Sequence, residues 1–156
     1  MDTNSGERRV VVGVDGSEAS YEALRWAVRH ARLIGASVEA VAAYDVPGAA
    51  GWSAPAVDAD LDEEQARKDL ADELRTVLGQ AVDVPLTSHV MRGNPAEVLT
   101  GASVGAELLV VGNRGRGGFA RLLLGSVSLQ CAQHASCPVV IIREGALDDA
   151  GSAHEA

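Results

Sequence analysis

Short apolar runs alternate with amphipathic helical patterns along the chain, and this alternation restricts the possible folds more than any other feature. A first run, Val10 to Asp15, precedes a helical pattern, and further runs lie at residues 38–44, 86–91, 108–111 and 139–142. Short runs that are apolar throughout are typical of parallel strands covered on both faces. We therefore predict an α/β fold, a doubly wound open parallel sheet of five strands with helices on both faces. Ligands of such sheets bind at the carboxyl ends of the strands.

Capping residues mark where the helices begin and end. Ser17 follows an Asp-Gly turn and can cap a first helix, which Gly35 is suited to end. Acidic residues open a charged amphipathic helix over residues 60–80, where they face the positive helix N-terminus. Asn94 precedes a proline and begins a short third helix, which we expect to end near Gly105.

The chain is of a size for one globular domain, with 156 residues of which 47% are hydrophobic. We predict a single nucleotide-binding-type domain over residues 9–143, a flexible N-terminus at 1–8 and a disordered acidic tail at 144–156. Residues 46–60 are rich in proline, glycine and alanine, and we predict a surface loop there that Trp52 anchors.

The net charge of −9 argues against nucleic acid or an anionic membrane as a partner. The N-terminal residues lack the apolar core of a signal peptide, and no apolar run approaches membrane-spanning length. Cys131 and Cys137 are too few for a disulfide framework and do not form a C-x-x-C motif. We therefore expect a cytoplasmic protein. The four histidines have no ligand spacing, so we predict no metal site built from them.

A glycine-rich stretch, Gly112 to Ser128, follows the run at residues 108–111 and leads into a helical pattern. A buried strand, a glycine turn and a helix start together make an anion site, because unpaired helix N–H groups point outward and the helix dipole favours negative charge. We expect the early glycines to allow positive φ and close approach to a ligand. Ser126 lies where the helix would begin, with its hydroxyl available to cap the helix or to bind a phosphate. The early glycines expected to allow positive φ are Gly112, Gly115, Gly117 and Gly118.

The charge of this stretch favours a phosphate-bearing ligand over the alternative of a flexible connector. Arg114, Arg116 and Arg121 lie within it, and it contains no acidic residue although the chain as a whole is acidic. Guanidinium groups bind phosphate oxygens through paired hydrogen bonds. The arginines are assigned to the site from charge alone. For Arg121 a phosphate role is favoured only modestly over the alternative of a solvated surface charge.

The chain resembles the ATP-binding universal stress proteins. Gly112-Asn113-Arg114-Gly115, nine residues and then Gly125-Ser126 match that family's G-x-x-G, nine, G-S/T signature. The segments Val12 to Ser17, Gly93 to Pro95 and His134 to Val140 also match its pattern, so the similarity covers residues 9–143. It implies an adenine-nucleotide-hydrolase-like sheet of order 3-2-1-4-5, bound ATP with Mg²⁺, and a homodimer acting in stress adaptation.

The resemblance also implies site residues. Asp15 and the backbone near Val41 would face adenine and ribose, and the signature glycines and serines would hold ribose and phosphates. Cys131 stands where a valine is more usual, which affects packing alone. The complete set predicted to bind the nucleotide, including the arginines, is Gly13, Asp15, Val41, Gly112, Arg114, Gly115, Arg116, Gly117, Arg121, Gly125, Ser126, Val127 and Ser128.

Other interpretations of these residues remain open. Asp15 can serve in a local Asx-turn in place of a nucleotide contact. A P-loop is excluded because its motif is absent and Lys68, the one lysine, lies in a charged helix. Gly115 to Ala120 mimics the dinucleotide fingerprint but comes after the fourth strand, with too little chain following it. A slow ATPase or other adenine-nucleotide hydrolase using Asp15 and Mg²⁺, and a non-binding interaction dimer, are the alternatives to a regulatory module with little or no hydrolysis.

The fifth strand predicts a mode of assembly. If the order is 3-2-1-4-5, Val139, Val140, Ile141 and Ile142 form an apolar strand at the edge of the sheet. An uncovered apolar edge is an aggregation hazard. Pairing across a two-fold axis would cover it, so we predict a homodimer through this strand.

Overall fold

A computed structural model describes residues 7–44, 59–80, 82–113 and 124–145 of the 156. Within these residues strands and helices alternate as predicted. The elements are β1 (Arg9–Gly13), α1 (Glu18–Ile34), β2 (Ser37–Tyr44), α2 (Ala59–Leu78), β3 (Leu86–Arg92), α3 (Pro95–Ala102), β4 (Leu108–Gly112), α4 (Ser126–His134) and β5 (Val139–Ile142).

The strands form one parallel sheet of order β3-β2-β1-β4-β5. This confirms both the parallel doubly wound architecture and the strand order. β1 is central, with Val12 level with Ala40 of β2 on one side and with Val110 of β4 on the other. β5 is an edge strand that pairs with β4.

Two apolar layers cover the two faces of the sheet, and strand alternation separates them. Val10 and Val12 of β1 point into a cluster with the apolar faces of α1 and α2, while Val11 points into a cluster with α3 and α4. All three side chains are fully buried. Trp26 packs at the border of the first cluster and stacks on His30 with ring centroids 4.7 Å apart.

The helix ends follow the predicted caps, with one difference. The Ser17 hydroxyl accepts the Ser20 N–H, and Gly35 ends α1 with φ +70. Asn94 Oδ1 accepts two N–H groups of the first turn of α3. That helix ends at Ala102, three residues before the predicted Gly105, because Ser103 leaves the helical conformation at φ −90 and ψ 2.

Several predictions fall on other parts of the chain. Most of the loop predicted at 46–60, including Trp52, lies outside the described residues, which resume at the start of α2. Residues 1–6 and 146–156 also lie outside them. The first two residues of the predicted tail, Glu144 and Gly145, are described, and their N–H groups are hydrogen-bonded within the domain. None of the helices in the described ranges is long and apolar enough to cross a bilayer.

Candidate functional site

The sheet has a topological switch point between β1 and β4. The chain leaves β1 into α1 on one face and leaves β4 towards α4 on the other face. The two helix N-termini therefore border one crevice at the carboxyl ends of two adjacent strands. Doubly wound sheets bind their ligands at such a crevice. Each helix N-terminus also contributes partial positive charge there.

On the β1 side, the Asp15 carboxylate takes part in a local turn. Asp15 Oδ1 accepts the Ser17 N–H at 2.9 Å and the Ser17 hydroxyl at 2.5 Å. The Asp15 N–H in turn faces the Ser20 hydroxyl oxygen at 3.3 Å. Asp15 therefore has the role of a local Asx-turn, and it is at the same time exposed at the mouth of the crevice.

On the β4 side, Gly112 lies directly against the first turn of α1. A Cβ placed on it would lie 2.7 Å from the carbonyl carbon and the Cβ of Ala19, and 2.9 Å from Ser20 N. Gly112 is not among the described glycines with positive φ. The expectation that Gly112 supplies positive φ is therefore wrong, because close packing of β4 on α1 is what requires glycine here.

The two ends of the glycine loop are joined to each other. The Gly125 N–H donates to the carbonyl oxygen of Asn113 over 2.6 Å, and the Ser128 hydroxyl lies 3.1 Å from the same oxygen. Asn113 is buried with 7% of its surface exposed. Asn113 and the start of α4 thus lie together at the carboxyl end of β4.

The two serines at the start of α4 differ in their exposure to solvent. Gly125 is the N-cap and has no side chain to bond the first turn. Ser126, the first helical residue, is exposed, whereas Ser128 is 2% exposed and its hydroxyl also reaches the Gly125 carbonyl at 3.0 Å. Val127 packs on the second apolar cluster. In this arrangement Ser126 faces solvent and Ser128 fastens the loop to the helix.

Gly13 and Val41 lie side by side in the sheet. They are register partners on β1 and β2, and the Val41 carbonyl accepts the Val14 N–H at 2.9 Å. The Val41 side chain is 1% exposed and belongs to the second apolar cluster. A Cβ on Gly13 would meet Leu99 Cδ1 at 2.8 Å, so α3 packs closely over this position.

The remaining predicted residues lie outside the described part of the chain. These are Arg114, Gly115, Arg116, Gly117 and Arg121. The described residues of the predicted set gather at the switch point from β1, β4 and α4, with Val41 beside them in β2.

Sequence reasoning missed two residues that organise this region. The first is Asn113, which occupies a position of unspecified residue type in the G-x-x-G signature. The second is Glu22, for which the sequence analysis predicted no role. Both carboxylate oxygens of Glu22, at 3.0 and 2.9 Å, face the Gly145 N–H, and the residue is 8% exposed. The available signal was its place three residues after Ala19 on the apolar face of α1, where an acid is unexpected.

A separate groove of about 260 Å³ opens between α2 and β3, at the far edge of the sheet. None of the predicted site residues that the structure describes lines it. Its walls are Arg67, Leu70, Ser88, His89, Val90 and Met91.

Comparisons with known proteins agree with this architecture. The sequence model of the universal stress protein family matches residues 7–143. A universal stress protein of Mycobacterium tuberculosis is 38% identical over 135 residues, which are 86% of this chain and 45% of that protein. The crystal structure of a universal stress protein in complex with cAMP is 29% identical, with TM-score 0.66, over 90% of this chain and 99% of that one. UspA from Lactobacillus plantarum, 24% identical with TM-score 0.71 over 90% and 100%, supports the fold alone.

The chain spans about half the length of the mycobacterial relatives it matches, with 45% to 50% of each covered. The family model nevertheless extends from before β1 to just beyond β5, so the whole described sheet lies within the match. The chain belongs to the universal stress protein family.

Proposed function

We propose that this protein is a regulatory module that binds an adenine nucleotide, ATP with Mg²⁺, at the β1–β4 switch point, with little or no hydrolysis. The observation that carries the proposal is the junction between β4 and α4. A loop with three arginines and the signature glycine spacing connects a buried strand to a helix whose N-cap, Gly125, has no side chain. Phosphate oxygens are the ligands that such a junction favours.

The described residues fit a nucleotide at this position. The Ser17 side chain already caps α1 by accepting the Ser20 N–H, and Asp15 holds Ser17 in turn, whereas the N-cap of α4 offers no side-chain acceptor to its own first turn. The exposed Ser126 hydroxyl stands at that second N-terminus. Negative charge is therefore stabilised at α4 more than at α1. The related structure that contains cAMP supports an adenine nucleotide as the ligand class.

Isothermal titration calorimetry with ATP and Mg²⁺ tests the proposal. A charge-assisted hydrogen bond contributes about 1.5–3 kcal/mol, so Arg116→Ala should weaken binding roughly tenfold to a hundredfold. Arg75→Ala is the matched control, because it removes an exposed arginine that pairs with Asp72 on α2, and it should bind as the unmodified protein does. Absence of binding at about 1 mM ATP would refute the proposal.

Nucleotide carried through purification provides a second test. Heat denaturation followed by chromatography of the supernatant should release an adenine nucleotide. Gly125→Val should abolish that peak without unfolding the chain, because φ −72 and ψ 169 at Gly125 are accessible to valine. Circular dichroism supplies the control for folding, and a peak of unchanged size in Gly125→Val would contradict the assignment of the loop.

We propose little hydrolysis because Asp15, an acid at the crevice, is already engaged in a local turn. Phosphoryl transfer needs an acid that holds Mg²⁺ and a group that orients the attacking nucleophile. Asp15 is an acid at the switch point, and its Oδ1 already accepts two hydrogen bonds from Ser17. Multiple-turnover phosphate release that Asp15→Asn abolishes while binding persists would instead establish an ATPase.

We further propose that two copies pair through β5 and that the protein acts in the cytoplasm. β5 is an edge of the sheet and its first three residues are half-buried in the single chain. Ile141→Lys should convert a dimer to a monomer in multi-angle light scattering. Leu33→Lys is the matched control, since Leu33 is 78% exposed on α1. A dimer that survives Ile141→Lys would exclude this interface.

Buried Cys131 and half-buried Cys137 are free thiols, which fits a reducing compartment such as the cytoplasm.

A further inference from the structure

Asn113 joins the glycine loop to the end of β5 through its side chain as well as its backbone. Its N–H donates to the Ile142 carbonyl at 2.8 Å, and its own carbonyl accepts from Gly125 and Ser128. Its side-chain Oδ1 accepts the Glu144 N–H at 3.2 Å. One buried residue therefore contacts the start of the loop, its end and the chain that leaves β5.

The chain beyond β5 is held at the next residue too. Gly145, at φ +84, directs its N–H to the buried carboxylate of Glu22 on α1. α1 is also the helix that packs against Gly112, directly before the loop. Residues 144 and 145 are thus bound to the two elements, the loop start and α1, that border the proposed site.

We infer that the Asn113 side chain is a positioning group that couples the glycine loop to the segment after β5. A nucleotide that binds where Asn113 and Gly125 meet should then tighten residues 144 and 145, and loosening those residues should weaken nucleotide binding. The two effects must be equal in size, because coupling between two sites is reciprocal. The inference rests on the proposed function, and it adds a role for Asn113 that does not require contact with the ligand.

Variants can remove this hydrogen bond from either end. Asn113→Ala removes the acceptor and keeps the backbone bonds of residue 113. Glu144→Pro removes the donor and leaves Asn113 intact. Proline is suited to position 144 because Gly145 has the φ of the third residue of a type II turn, and proline is favoured just before it. Glu144→Ala is the matched control, because it removes the side chain but retains the N–H.

Two measurements on the full chain report the coupling. The first is hydrogen exchange of the Gly145 amide by NMR, with and without ATP and Mg²⁺, since this amide is present in every variant. The second is ATP affinity by calorimetry. In the unmodified protein ATP should slow this exchange about three- to tenfold, the effect of one neutral hydrogen bond. Asn113→Ala and Glu144→Pro should lose that slowing and bind ATP weaker by the same factor.

The double variant should be no weaker than the weaker single variant, because both changes remove the same bond. Glu144→Ala should keep the slowing of Gly145 exchange by ATP, because its N–H is retained. Unchanged Gly145 exchange when ATP binds, or a loss in Glu144→Ala equal to that in Glu144→Pro, overturns the inference alone. If Asn113→Ala does not fold, Glu144→Pro still decides the question. Absence of ATP binding by the unmodified protein overturns the proposed function, and the coupling with it.

Discussion

Replacing Gly112 with alanine tests how closely β4 packs on α1. The new methyl carbon would lie 2.7 Å from two atoms of Ala19 and 2.9 Å from Ser20 N, and two of these three atoms belong to the helix backbone. A backbone cannot rotate away as a side chain can, so β4 or α1 must shift. Gly13→Ala is the matched comparison, since its Cβ would meet the flexible end of Leu99 at a similar 2.8 Å.

The expected magnitudes separate these two variants. Overpacking costs about 1–3 kcal/mol, and the upper end applies where backbone must move. Replacing glycine by alanine returns about 0.4–1 kcal/mol by reducing the entropy of the unfolded chain. Gly112→Ala should therefore lose about 2 kcal/mol, which for a chain of this size lowers Tm by roughly 4–8 °C. Gly13→Ala should stay within about 1 kcal/mol of the unmodified protein because Leu99 can rotate.

Thermal denaturation followed by circular dichroism measures both effects. Gly101→Ala completes the series, because nothing lies within 4 Å of a Cβ at that position in α3, and it should be neutral or stabilising by up to about 1 kcal/mol. A Gly112→Ala protein that melts at or above the temperature of Gly13→Ala would show that the contact with α1 does not require glycine.

Three further predictions concern other parts of the domain. Burial raises the pKa of the Cys131 thiol to about 11, so Cys131 should resist thiol reagents near pH 8 until the protein unfolds, as mass spectrometry of labelled peptides would detect. Asn94→Ala removes the cap of α3 and should cost about 1 kcal/mol in chemical denaturation; no change would mean that α3 does not depend on this cap. The hydrogen bond from Arg32 lowers the pKa of the Asp83 carboxyl, so its stabilising contribution is present above the unfolded-state pKa and is lost as pH falls through the lowered value. Asp83→Asn should therefore lower Tm slightly at neutral pH and low salt, and the difference should vanish in acid and in about 1 M salt.

The helices and strands were predictable because their signals are local. Ser17 begins α1 and Gly35 ends it, through hydrogen bonds to residues only three or four positions away. Both hydrogen bonds appear in the structure. The apolar runs marked the five strands to within about two residues at each end, as expected from side-chain alternation and burial. The differences, such as the early end of α3 at Ala102, lie at boundaries where several conformations compete locally.

The candidate site was predictable only in part. The glycine spacing pointed to the stretch after β4, but the reason for glycine at position 112 was predicted wrongly. Glycine is required there by close packing against Ala19, which is far away in the sequence. Ser128 looked like a partner for phosphate, whereas in the structure its hydroxyl points to the carbonyls of Asn113 and Gly125. Asn113 gave no local signal, since the hydrogen bonds described for it run to β5, to the residue two positions after β5 and to the start of α4.

By itself the sequence determined the element order, the helix caps and the basic, glycine-rich character of the β4–α4 loop, because these depend on neighbouring residues and on composition. Strand adjacency and the edge position of β5 followed from the family resemblance and not from the local patterns, and tertiary structure decided them. Tertiary structure also decided which small or polar residue is held by packing. Those properties depend on distances between residues such as Gly112 and Ala19, or Asn113 and Glu144, that meet only when the sheet forms. Periodicity along one segment carries no information on such distances, since the same pattern fits several strand orders.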